Sequence, residues 1–266
     1  MITRRAFIRT IGKGSAAVAL VGVAGCTTEE PTSTTLGAAV STTAPASTST
    51  SVADSSSTST ATTEVTEPGM TSEEWRRVNL GFVSAYVFVR GGEAALVDTG
   101  TSGSASQIES TLAGLGLGWA DLSTIVLTHH HGDHVGSLAA VMEAAPDAIA
   151  YAGAEDIPNI TSPRPVSSVV DGDTVFGLQI IATPGHTPGH ISILYPGLPA
   201  LIAGDAIVGE DGGVAGPPAQ FTADPVTANE SIVKLGSFDY DAIYFGHGEP
   251  ITSGGADLVA ELAASL

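Results

Sequence analysis

Cysteine is almost missing from this chain of 266 residues: Cys26 is the only one. A disulfide-stapled scaffold and a cysteine-ligated metal cluster both need several, so both are excluded. Positive charge is nearly as scarce. Nine Lys and Arg stand against 28 Asp and Glu, and four of the nine (Arg4, Arg5, Arg9 and Lys13) lie in the first 26 residues, which hold no acid. Beyond residue 26 only Arg76, Arg77, Arg90, Arg164 and Lys234 are basic. A nucleic-acid partner needs a basic stripe to displace counterions from phosphates, and none is available. Long apolar runs are missing too. Nowhere do about 18 apolar residues follow one another, as a spanning helix requires.

Residues 1–26 read as an address and not as part of the fold. A basic stretch ending at Arg9 precedes a weakly apolar run from Ala16 to Ala24. Arg4-Arg5 followed by Phe7 resembles a twin-arginine export signal. Val23-Ala24-Gly25-Cys26 resembles a lipobox, in which the cysteine bears lipid after cleavage. The resemblance implies export and a lipid anchor at Cys26 on the outer face of the cell membrane, with no other membrane contact. Residues 27–70 follow as a Ser/Thr-rich stalk. Of the 42 residues from 27 to 68, 23 are Ser or Thr, too polar to bury a core and offset chain entropy. The shortage of basic residues in an exported chain suits high salt, where repulsion among acids is screened, and points to an extreme halophile.

Residues 71–266 are long enough for one substantial core. Short apolar segments bounded by Gly, Pro or Asp read as strands at Phe82–Val89, Ala94–Val97, Thr124–Leu127, Ala148–Tyr151, Leu178–Ala182, Ile191–Tyr195, Ala200–Ala203 and Ala242–Phe245. Helical patterns fall at Ser104–Leu115, Val135–Ala144, Val226–Leu235 and Ala256–Ala264, with Asp224 as N-cap and Pro225 at the first position of the third. Such alternation implies an α/β protein of packed sheet and helix layers.

All seven histidines fall in three short segments at strand ends. Thr124–Leu127 runs into Thr128-His129-His130-His131-Gly132-Asp133-His134, Leu178–Ala182 leads to His186 with His190 beyond it, and Ala242–Phe245 leads to His247. Ala200–Ala203 likewise leads to Asp205. Imidazole and carboxylate suit zinc, iron or manganese. On extended chain His129 and His131 project to one side and His130 to the other, which gives His130 a structural or exposed role. His129, His131 and His186 could fill one site, Asp133, His134 and His247 a second, and Asp205 could bridge them.

These motifs resemble the metallo-β-lactamase superfamily of metallohydrolases. The run from His129 to His134 matches its HxHxDH signature, Leu96-Val97-Asp98-Thr99-Gly100 its first motif, and His186, Asp205 and His247 its remaining ligand motifs in order. The resemblance implies a four-layer αββα sandwich of two mixed β-sheets flanked by helices, with two divalent metal ions at one sheet edge, most often zinc, with manganese or iron as alternatives. It implies a dinuclear hydrolase in which a metal-bridging hydroxide attacks a carbonyl and Asp133 orients it and takes its proton. A metal-bound histidine usually donates its other N–H to an oxygen, which makes Asp98 a candidate outer partner, with His190 a second.

The expected substrate is a small molecule. No cysteine follows the first metal motif, so the cysteine-ligated β-lactamase pattern is absent, and few cations could anchor a highly anionic substrate. Nineteen residues follow His247, too few for the helical substrate domain of glyoxalase II. A neutral ester, thioester or lactone is the expectation. The alternatives are a mononuclear iron oxidoreductase of the persulfide dioxygenase type and a metallo-β-lactamase-like amide hydrolase. The Gly- and Pro-rich stretch Val208–Phe221 is long for a simple connection and is a candidate cover for the substrate.

Overall fold

The computed structural model describes residues 74–266. The expected export signal, Cys26 and the expected stalk lie outside the described residues. Six strands form the first sheet in simple sequence order: β1 (Glu74–Asn79), β2 (Ser84–Arg90), β3 (Glu93–Val97), β4 (Leu122–Val126), β5 (Ile149–Gly153) and β6 (Val166–Val169). Its first half is antiparallel and β3 to β6 are parallel. Helices α1 (Ala105–Gly114), α2 (Gly132–Val135) and α3 (Leu138–Ala144) fall within its crossovers.

The second sheet has the order β13-β10-β9-β8-β7, from β7 (Thr174–Val175), β8 (Leu178–Ala182), β9 (Ile191–Tyr195), β10 (Ala200–Ile202) and β13 (Ala242–Tyr244). Only β10 and β13 run parallel within it. A hairpin of β11 (Val208–Glu210) and β12 (Gly213–Ala215) stands apart, and α4 (Pro225–Leu235) and α5 (Gly255–Ala264) close the chain. Among the described residues no helix is long and apolar enough to cross a membrane.

Strand periodicity explains why there are four layers. Side chains alternate across a strand, and here both faces are apolar. Ala85 and Val87 of β2, Leu96 of β3 and Ile125 of β4 pack with Ile108 and Leu112 of α1 and Val141 of α3. Their neighbours Tyr86, Phe88, Val97 and Val126 point the other way, onto Ile180, Ile193 and Ile202 of the second sheet. Ile181 and Leu201 then turn from that sheet toward Ile232 and Leu235 of α4 and Val259 of α5. Three buried clusters therefore separate four layers, the αββα sandwich expected from the sequence. Each fully buried Leu or Ile contributes about 1.5–3 kcal/mol to that packing.

Two local expectations need correction. The pattern Val135–Ala144 is two helices, α2 and α3, broken at Gly136-Ser137. A side chain at Gly136 would meet the backbone of Thr101 and Ser102, and Ser137 Oγ donates to the Thr101 carbonyl. The chain bends there to grip the loop after β3. The edge strand β1, missed because it reads Glu-Trp-Arg-Arg-Val-Asn, is held by its ladder to β2 and by Trp75, whose ring packs against Tyr86, Phe88 and Tyr244. Asp224 caps α4 as expected, accepting from the N–H groups of Val226 and Thr227.

Candidate metal centre

Parallel strands end at the same sheet edge, and that edge collects the polar residues. β3 ends at Asp98, β4 leads to His129 and His131, and β5 leads to Asp156. In the second sheet β8, β10 and β13 point the same way and lead to His186, Asp205 and His247. Cross-sheet hydrogen bonds draw the two edges together: Ile191 N–H donates to the Thr128 carbonyl, and Ser84 N–H to that of Gly246.

Four of the seven candidate ligands, His129, His134, His186 and His247, approach Asp205 directly, and the other two, His131 and Asp133, each join through two histidines. His131 Nδ1 lies 3.1 Å from His129 Nε2 and 2.9 Å from His186 Nε2. His247 Nε2 lies 3.2 Å from Asp133 Oδ2 and 3.5 Å from His134 Nε2. Asp205 stands between the two groups: Oδ2 is 3.5 Å from His186 Nε2 and 3.2 Å from His247 Nε2, and Oδ1 is 3.4 Å from His134 Nε2. His130 stays outside, with its N–H donated to Asp156.

The donor set fits metal ions. The ligand atoms of His129, His131 and His186 lie within 4.8 Å of one another, and so do those of Asp133, His134 and His247. Asp205 Oδ1 is buried yet has no hydrogen-bond partner, because His134 Nε2 faces it without suitable geometry. A buried anionic oxygen in that condition is costly unless a cation completes it.

Surrounding groups aim the rings. Asp98 Oδ2 lies 2.8 Å from His134 Nδ1, while its two oxygens accept from Thr128 N–H and Thr128 Oγ1–H, both at 2.8 Å. The Thr128 hydroxyl, having donated, accepts from His129 Nδ1. The Phe82 carbonyl accepts from His247 Nδ1 at 2.7 Å. Each Nδ1 is thereby protonated, which leaves Nε2 as the ring position available to a metal. Asp98 does this from a left-handed backbone, φ 60°, which asparagine and aspartate tolerate better than most residues. Thr99 adds N–H and hydroxyl bonds to the His134 carbonyl, so the first motif holds that residue at both ring and backbone.

His190 acts through a buried chain with one direction. Ser192 Oγ donates to the Ala203 carbonyl, which can only accept. Ser192 must then accept from Thr183, and Thr183 from His190 Nδ1. His190 Nε2 is left to accept from the backbone N–H of Asp205 at 3.0 Å. Burial, then the neighbouring His186, push the His190 pKa down to about 3, consistent with a neutral ring.

The remaining titrations divide the centre in two. Burial holds His129 well below the ordinary histidine range, lowers His131, and takes His186 to about 4, so these rings are neutral donors. Burial opposes charge on His134 and His247 as well, but Asp205 and Asp98 outweigh it at His134, and hydrogen bonds to Asp133 and Asp205 carry His247 up to about 10. Protons there offset carboxylates that a dication would otherwise neutralise, and metal binding would release them.

Asp156 escaped sequence reading. It is fully buried and accepts from His130 N–H at 3.0 Å, Thr187 Oγ1–H at 2.7 Å and Gly189 N–H at 2.7 Å. It therefore ties the loop carrying His129 and His131 to the loop carrying His186. The available signal was positional: like the other site residues, it follows a strand that ends at this edge. Gly246 is a second omission. A side chain there would strike Asp205 Oδ1 and the His134 ring, so only glycine lets the His247 loop pass behind them.

The centre opens onto a cleft of about 670 Å³ that is also lined by Phe82, Val208, Glu210, Pro218 and Phe221. The stretch Val208–Phe221 is thus a hairpin and a short 3-10 turn that together supply much of this lining. Gly209 N–H donates to the His247 carbonyl and ties the hairpin base to the centre.

Comparison with known proteins agrees with this geometry. The family model for the metallo-beta-lactamase superfamily matches residues 78–247. The probable metallo-hydrolase YflN of Bacillus subtilis (strain 168) is 34% identical over 175 residues, covering 49% of this chain and 66% of the relative. A hydroxyacylglutathione hydrolase of Francisella philomiragia subsp. philomiragia is 37% identical over 127 residues, covering 45% and 46%. The chain therefore spans between about half and two thirds of the length of these curated relatives. Among solved structures, TTHA1623 in a di-iron-bound form aligns with a TM-score of 0.57 and 28% identity, covering 69% of this chain and 95% of that one. With the matched region spanning most of the described residues and all seven clustered ligand candidates, the chain belongs to the metallo-beta-lactamase superfamily.

Proposed function

We propose that this protein is a dinuclear metal-dependent hydrolase acting on the carbonyl of an ester, thioester or lactone, with zinc as its metal. The observation that carries the reading is the position of Asp205, with one carboxylate between two separate groups of converging donors. His129, His131 and His186 would hold one ion and Asp133, His134 and His247 the other. Bound there, two divalent ions would acidify a water toward neutrality and polarise a carbonyl oxygen. Asp133, partly exposed to the cleft, is placed to orient the attacking water and receive its proton. Asp98 and the Phe82 carbonyl keep His134 and His247 facing inward throughout.

Relatives named hydroxyacylglutathione hydrolase support a thioester among the substrates, and the di-iron neighbour makes iron the alternative metal. The resemblances in residues 1–26 extend the proposal to an enzyme tethered outside the cell. Elemental analysis of the purified protein, paired with ester, thioester and lactone turnover before and after chelation, tests the reading. Two ions per chain and chelator-sensitive hydrolysis are expected, and both are lost in His131→Ala and Asp205→Ala. One iron per chain with no hydrolysis would overturn it in favour of an oxidoreductase.

A further inference from the structure

We infer that the cleft selects substrates with an apolar acyl chain and no negative charge, and that Glu210 sets the charge preference; this rests on the hydrolase reading above. Apart from the candidate ligands the cleft lining is apolar except at one place. Phe82 and Phe221 are 66% and 61% exposed, a large apolar area left in water beside a polar centre. Val208 and Pro218 continue that lining. Exposed aromatic surface gathered at one cleft marks a place where an apolar ligand displaces water.

Charge decides the rest. Among the described residues no Lys or Arg lines the cleft, and Glu210 is the one acid in its lining apart from the candidate ligands Asp133 and Asp205. Arg77 reaches the adjoining loop, but its guanidinium is committed to Glu249, the Gly248 carbonyl and Ser84 Oγ. Lys234 is paired with Asp171, and Arg164 donates to the carbonyls of Ala145 and Ala148. A carboxylate or phosphate on the distal part of a substrate would meet Glu210 and find no cation. A neutral or cationic group would not be repelled. The acid in the cleft lining thus acts by exclusion, as specificity often does.

The test compares 4-nitrophenyl esters of one acyl length on the full metal-loaded chain: hexanoate, the mono-ester of adipate, and 6-(trimethylammonio)hexanoate. An S-acyl glutathione thioester is added as an anionic carrier. The neutral and cationic esters are expected to exceed the anionic ester and the thioester by at least about tenfold in kcat/KM, mainly through KM. The gap narrows as salt rises. Glu210→Lys should shrink or invert the ratio, whereas Glu261→Lys, an equal charge change on exposed α5, should leave it near the parent value. Phe221→Ala should lower the preference for hexanoyl over acetyl esters. Calorimetric binding of hexanamide and adipic acid monoamide reads the same order without turnover. An anionic ester handled as well as hexanoate, or a ratio that Glu210→Lys does not move, would overturn the inference while the hydrolase reading stands. Failure to hydrolyse any ester, thioester or lactone would overturn both.

Discussion

The two walls of the cleft are built differently. On the donor wall His129, His134, His186, His190, Asp98 and Asp205 are all buried, and most of their outward-facing polar atoms are spoken for by Thr128, Thr183 or the backbone. Elsewhere in the lining the side chains of Phe82, Glu210 and Phe221 stand in solvent. Buried polar networks are costly to leave half-satisfied, so the donor wall tolerates little change. Exposed side chains on a scaffold change cheaply. The contrast separates the chemistry from the choice of substrate.

Substitutions can break this contrast in order of effect. Asp205→Ala removes the carboxylate shared by both donor groups. It should cost about 10³-fold or more in kcat/KM, several kcal/mol of transition-state stabilisation, together with metal content by elemental analysis. Asp156→Asn leaves every proposed ligand in place but turns an amide N–H₂ toward one of its donors. Metal affinity, measured against a competing chelator, should fall about 10- to 100-fold. Stability should drop by about 1–3 kcal/mol in urea. Metal affinity equal to the parent's would show that the two ligand loops hold their places without it.

His190 gives a smaller and pH-dependent effect. Its pKa is about 3 in the fold against 6.5 for the ordinary side chain, so between those values the unfolded chain binds the extra proton. Its contribution to stability is full above pH 6.5 and declines as pH falls toward 3. In metal-free protein, His190→Gln should therefore lose less stability than the parent between pH 6.5 and pH 4.5, read from urea midpoints. Parallel pH profiles would rule out a buried neutral ring. Smallest is Phe82→Ala on the exposed wall. The backbone carbonyl that holds His247 remains, and the lost ring should raise KM for an apolar ester by less than about tenfold with kcat little changed. A collapse of kcat instead would show that the stacked ring, 5.8 Å from that of His247, steadies the donor wall too.

The layers were legible because the central strands are apolar on both faces and each helix pattern is long enough to have a period. Eight of the thirteen described strands were therefore visible, whereas β1 with its two arginines, β6 with its two serines, the two-residue β7 and the three-residue hairpin strands β11 and β12 carry no such pattern. The ligand candidates were legible because histidine is rare here and falls only at strand ends. Asp156 was not, because an aspartate in an ordinary loop looks like the chain's other acids until its three donors are seen. The break at Gly136 was hidden for a similar reason: it depends on the backbone of Thr101 and Ser102, more than thirty residues earlier.

The sequence by itself determined the kind of chemistry available: seven imidazole and carboxylate donors in ordered motifs, no cysteine ligands, and almost no cations to meet an anion. These are matters of composition and spacing, which local chain carries. Only the tertiary structure decided which nitrogen of each ring faces inward, that Asp205 stands between two donor groups, and that a hairpin brings Glu210 into the same cleft. Those depend on hydrogen bonds and contacts between segments 30 to 165 residues apart, and such pairings exist only once the two sheets have packed.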